Sequence, residues 1–221
     1  MRGFGRNNGL LLVCFFGFFL VFLAAQALTG QRAYNAEQQE HGEPTVELVD
    51  YLGEGHFIEA TFENWESEFL QMGAYVLLTV WLRQRGSAES KPLDEETPQD
   101  EDPNEHRDDP HAPWPVRRGG VALALYRHSL SIGFMTLFAL SWLAHAVGGA
   151  QEYSEEQLAH GGSAVTTWGF VQTSEFWFQS FQNWQSEFLA VASIVALSIF
   201  LREQGSPESK PVHAPHAETG S

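Results

Sequence analysis

The chain has 221 residues and a formal net charge of −16, with 12 Lys and Arg against 28 Asp and Glu. So acidic a balance excludes nucleic-acid binding, which needs clustered Lys and Arg to displace counterions from phosphates. The single cysteine, Cys14, excludes an internal disulfide and any cysteine-built metal cluster. Apolar and charged residues are segregated, with four nearly charge-free segments set between acidic ones.

Residues 9–28 form the first apolar segment, about the ~20 residues that a bilayer span needs. Arg2 and Arg6 precede it, and Ala25-Gln26-Ala27 gives it the look of a cleavable secretory signal. Its match in an internal repeat lies mid-chain near residue 130, which favours a retained span. Residues 30–61 are polar and acidic, without a sustained period, and read as an extramembrane loop with some short helix.

Residues 62–82 are long enough for a second span, but Glu63, Asn64, Glu66, Ser67 and Glu68 make their first third polar. At helical spacing Phe62, Trp65, Phe69, Met72 and Val76 share one face, and Asn64, Glu68 and Gln71 another. Trp65 suits the headgroup level, where an amphipathic ring is stable. Residues 86–120 carry six prolines and runs of acids, a composition that predicts a disordered linker. Residues 121–128 form a short amphipathic lead-in. The third span is 129–147, where Ser129 and Gly133 permit close helix contact. A loop follows, then a fourth span at 185–201, with Trp177 and Trp184 at its outer end. Residues 205–221 read as a disordered tail.

One stretch occurs twice. Phe62-Glu63-Asn64-Trp65-Glu66-Ser67-Glu68-Phe69-Leu70 returns 119 residues later as Phe181-Gln182-Asn183-Trp184-Gln185-Ser186-Glu187-Phe188-Leu189. The same offset aligns Gly30 with Gly149, Tyr34 with Tyr153, Glu37 with Glu156, His41 with His160 and Phe57 with Phe176. It continues to Gly86–Pro92 and Gly205–Pro211. A constant, gapless offset implies a tandem duplication. The expected architecture is an all-α membrane protein of four transmembrane helices in two hairpins, residues 1–85 and 121–204. Amphipathic interfacial segments precede spans 2 and 4. Two spans per unit return the chain to its starting side, which implies a parallel repeat. Arg2, Arg6, Arg83, Arg85, Lys91, Arg107, Arg117, Arg118, Arg127, Arg202 and Lys210 fall on one expected side, and Arg32 on the other. The positive-inside rule then places both termini and the linker in the cytoplasm.

Glu68 and Glu187 are the main candidates for chemistry. Each precedes an apolar run by one residue. In hydrocarbon a carboxylate costs roughly 2.5–3.5 kcal/mol, so the pair would need partners, a wet cavity or protons. Paired, they would form a cation-attracting ring or a proton-accepting site. At headgroup depth they would simply be solvated. Asn64 and Asn183 line the same mouth or bond neighbouring helices. His41 and His160, with Tyr34/Tyr153 and Glu37/Glu156, form a repeated polar set that is a weak candidate for metal or pH sensing. His145 reads as a capping or interfacial residue, and His213 and His216 as tail residues. Trp65, Trp177 and Trp184 read as interfacial anchors. No phosphate loop, nucleophile elbow, HExxH or dinucleotide fingerprint is present, so neither an enzyme nor a cofactor is indicated.

The N-W-x-S-E-F signatures at Asn64–Phe69 and Asn183–Phe188, with the G-S-x-E-S-K-P segments at Gly86–Pro92 and Gly205–Pro211, resemble an uncharacterised bacterial family of small multi-pass membrane proteins. The resemblance covers all but the linker. It implies a location in the bacterial cytoplasmic membrane and a topology, but no mechanism. The partners to expect are the lipid bilayer and a second copy or another membrane protein. The expected role is non-enzymatic, structural or interactive. The alternative is a small oligomeric channel or proton-coupled transporter built on Glu68 and Glu187.

Overall fold

A computed structural model describes residues 9–220. Arg2 and Arg6, used above for orientation, lie outside the described residues. Among the described residues all regular structure is helical. The α-helices are α1 (Leu10–His41), α2 (Leu48–Tyr51), α3 (Gly55–Trp81), α4 (Trp114–Arg118), α5 (Gly120–Tyr126), α6 (Ser129–Ala159), α7 (Thr167–Val171) and α8 (Ser174–Phe200), with two 3-10 turns at Pro98–Asp100 and Pro103–His106. Three of them, α1, α6 and α8, are long and apolar enough to cross a membrane. In α3 the uncharged run is only residues 69–82, about 20 Å of helix against ~30 Å of hydrocarbon.

The helices outrun the apolar segments that announce them. Residues 30–61 read as mainly loop, yet α1 continues to His41. Ala33, Ala36, Glu37, Gln38, Gln39 and Glu40 are good helix formers, and nothing breaks them before Gly42. There the backbone turns left-handed at φ 77°, and the Glu43 N–H reaches back to Gln38 O at 2.8 Å. α6 likewise runs past Val147 to Ala159. The turn that closes it holds Gly161, also φ 77°, with the Gly162 N–H on Gln157 O at 2.7 Å.

The chain forms two compact units. The first combines Met1–Phe62 with Leu143–Phe176. Its core is small and aromatic: Tyr34, Tyr51, Phe170, Phe176 and His145 are all buried. Glycine lets these rings approach the helices. A Cβ on Gly30 would lie 2.3 Å from the Tyr51 hydroxyl, and one on Gly149 2.3 Å from Phe170 Cε1. The apolar part of α1, by contrast, is exposed from Leu11 to Phe22.

The second unit combines Glu63–Trp142 with Trp177–Ser221. Here α3 meets α6 where a Cβ on Gly73 would lie 3.2 Å from Met135 Sδ. The linker and the tail, read from composition as disordered, carry turns closed by side chains. Ser90 Oγ accepts from the Gln84 N–H and Ser209 Oγ from the Glu203 N–H, both at 2.9 Å. Lys210 is buried and donates to the carbonyls of Pro215, His216 and Glu218 at 3.2, 3.1 and 2.8 Å. Lys91, at the same place in the first G-S-x-E-S-K-P segment, pairs instead with Asp100 at 2.5 Å. Composition gauges only apolar burial; these turns close through hydrogen bonds between side chain and backbone.

Candidate functional site

Two polar clusters stand out, one in each unit. The first gathers on α1, α2, α3 and α6. Tyr51, at the end of α2, is 1 % exposed and its hydroxyl lies 2.8 Å from His56 Nδ1. Tyr34 packs on both rings, with centroids 5.7 Å from Tyr51 and 5.6 Å from His56, and donates to Glu155 Oε2 at 3.2 Å. Burial, and then the Glu152 charge, push the Tyr51 hydroxyl up to about 12. It therefore stays a phenol and a donor at neutral pH. Burial lowers the His56 pKa despite the Glu37 charge, which keeps the ring neutral. With the phenol donating to Nδ1, the imidazole proton sits on Nε2.

Glu152 completes this cluster. It lies five residues past Val147, where the apolar run of α6 ends. Its Oε2 is shut away from solvent with no hydrogen-bond partner. Burial, followed by the charges of Glu59, Glu155, Glu37 and Glu156, pushes its carboxyl up to about 8. The neutral acid is therefore the main form at neutral pH.

The second cluster is built on the signature. Glu66 is fully buried and its Oε1 accepts from Trp184 Nε1 at 3.1 Å. Trp184 also packs against Phe138, Trp177 and Phe181, with centroids at 6.1, 6.4 and 5.5 Å. Ser67 and Gln71 are buried beside Glu66 on α3.

The residues singled out from sequence take varied positions. Glu68 and Asn64 are exposed, and Glu187 and Asn183 half-buried. The Glu68 charge acts on Glu187, so the two carboxylates are neighbours in electrostatic terms. Asn183 spends its amide on Gln179 O at 3.2 Å. Trp65 is half-buried, and Trp177 is exposed with its ring on Phe181. His41 and His160 are exposed at the C-terminal ends of α1 and α6, the latter with Nδ1 2.9 Å from Glu156 O. Among the described residues no group of three or more His, Cys, Asp or Glu is arranged to hold a metal ion. His145 is fully buried and stacked 4.7 Å from Phe176, a core position rather than an interfacial one.

Sequence reasoning passed over Glu66, Tyr51, His56 and Glu152. Two signals bear on them. Glu66 is one of two signature positions where the copies differ, Glu in one and Gln in the other. Tyr51 aligns with Phe170 at the 119-residue offset, and that column is apolar in one copy and polar in the other.

The same offset recurs in the contacts. Tyr34 on Tyr51 is matched by Tyr153 on Phe170, at 5.7 and 5.5 Å. Asn35 Oδ1 accepts from the Val46 N–H at 2.8 Å, and Ser154 Oγ from the Val165 N–H at 3.0 Å.

These features define a helical protein with three helices long and apolar enough to cross a membrane. The chain belongs to the family described as "Domain of unknown function (DUF6766)", whose match spans residues 1–221. No curated protein and no solved structure matches it.

Proposed function

We propose that this is a bacterial cytoplasmic-membrane protein with a non-enzymatic, interactive role, crossing the bilayer four times as two tandem-duplicated hairpins. The fourth crossing is α3, whose short apolar run is extended by the part of the signature that buries Glu66. The termini, linker and tail lie in the cytoplasm with the basic residues. The contacts that recur at an offset of 119 residues support the duplication.

The observation that carries the interactive role is the surface of the first unit. Glu40, Glu43, Glu47, Asp50, Glu155 and Glu156 are exposed, and Val49, Trp168 and Leu158 are exposed among them at 79 %, 68 % and 57 %. Arg32 is the unit's one Lys or Arg among the described residues. Such a surface suits a partner with basic and apolar side chains.

Topology tests the frame. On a Cys14→Ser background, a membrane-impermeant maleimide labels Glu43→Cys in intact cells and Glu95→Cys only after permeabilisation. The reverse pattern overturns the orientation. Flux tests the role. Proteoliposomes with the wild-type chain carry no more proton or cation flux than empty vesicles. Flux that disappears in Glu68→Gln/Glu187→Gln replaces this reading with the transporter, which the action of the Glu68 charge on Glu187 favours.

A further inference from the structure

Glu152 sits where two backbones touch. A Cβ on Gly55 would lie 2.7 Å from Glu152 N and 2.8 Å from Gly148 O. One on Gly148 would lie 2.7 Å from Glu59 N. The start of α3 and this turn of α6 are therefore in main-chain contact. The charged groups that bear on Glu152 are Glu59 from α3, Glu37 from α1, and Glu155 and Glu156 from α6 itself. Tyr51 from α2 faces it too. Every one of those charges is negative. His56, on the same turn of α3, is neutral. A carboxylate here would leave its Oε2 shut from solvent with no hydrogen-bond donor beside it, a cost that falls far more heavily on the charged form than on the neutral acid.

We infer that the Glu152 carboxyl is a proton-operated latch on the α3–α6 crossing: protonated, it lets the backbones close at Gly55 and Gly148, and ionised, it is driven apart from Glu59, Glu37 and Glu155. The direction follows from linkage. The carboxyl titrates at about 8 in the closed crossing and at its ordinary 4.5 once exposed. Between those values the closed form holds one more proton than the open one. Closure therefore weakens as pH rises through that window, by up to about tenfold in the opening equilibrium per pH unit, and levels off above it. Glu54, raised by burial and by Glu155 and Asp50, acts in the same direction. His56 acts in the opposite one. Its lowered pKa makes the open form bind the extra proton, so its contribution is lost as pH falls from 6.5 through that lowered value. The Glu152 variant separates these.

The test is hydrogen exchange by mass spectrometry on the full chain in nanodiscs, from pH 5 to pH 9, with rates corrected for intrinsic exchange. Protection over residues 55–59 and 148–152 falls with pH, up to about tenfold per unit, and levels off near pH 8. Glu152→Gln removes most of the slope and leaves only the shallow remainder set by Glu54 and His56. Glu155→Gln, which removes one repelling charge, moves the levelling point to lower pH. Protection that ignores pH in the wild type, or a slope in Glu152→Gln as steep as the wild type's, overturns the inference. If Glu152→Gln does not fold, Glu155→Gln decides, and a levelling point that does not move overturns it as well.

Discussion

The two copies of the aromatic signature differ at two of nine positions, and one of those substitutions decides what is inside. In the first copy Glu66 is fully buried and accepts from Trp184. In the second Gln185 is exposed and bonds within its own helix, to Gln182 O at 3.0 Å. The aromatic frame is shared, while the ionisable group is confined to one copy. Other positions at the same offset follow suit. Tyr51, bonded to His56, stands where the second copy has Phe170. Gly148, in backbone contact with Glu59, stands where the first copy has Thr29. Positions 119 residues apart share geometry here and differ in chemistry.

Swapping residues between the copies is the sharpest way to break this comparison. Gly148→Thr writes the first copy's residue into the second and should do most harm. Its Cβ would meet Glu59 N and Ile58 Cγ2 at 2.7 Å, and a main-chain atom cannot step aside. A loss of about 3 kcal/mol in SDS-induced unfolding in bicelles is expected, with Thr29→Gly far milder because Thr29 is exposed. Glu66→Ala follows, at about 2 kcal/mol, since it empties a buried site and strands the Trp184 N–H. Gln185→Ala should stay within about 0.5 kcal/mol. Equal losses at these two positions would sink the asymmetry.

Tyr51→Phe makes the first copy resemble the second. It should cost about 1 kcal/mol by leaving His56 Nδ1 without its donor, and a shift of the His56 resonances in NMR titration would report the change. Asn35→Ser is the gentlest. The second copy already holds Val165 with Ser154, so a thermal midpoint within a few degrees of wild type is expected.

Much of this architecture was legible in the chain. The apolar runs of α1, α6 and α8, the duplicated signature and the constant offset are one-dimensional signals. The helix ends were not. The polar stretches at 29–41 and 148–159 show no apolar period, yet their Ala, Glu and Gln residues sustain helix until a glycine ends it. The choice of carboxylate was not legible either. A helical wheel drew attention to Asn64, Glu68 and Gln71, but only Gln71 of the three is buried, alongside Glu66 and Ser67. In a helix whose apolar face can rest on lipid, the polar side turns inward, and its exact rotation depends on the neighbour it meets. Glu152 shows the same limit. It is one acid among many in the sequence, and what sets it apart is the glycine contact between α3 and α6, which brings together residues about a hundred positions apart.

The length of α1 carries a further consequence. On the four-crossing reading, with residues 10–28 in the bilayer and α1 along its normal, residues 29–41 form a helical mast that rises about 20 Å above the hydrocarbon edge. Lipid surface charge is screened within about 8 Å at physiological salt. The tip of the mast therefore stands clear of the lipid headgroups. Glu40 and Glu43 there present their charge to whatever approaches from the aqueous phase, unopposed by anionic lipid below.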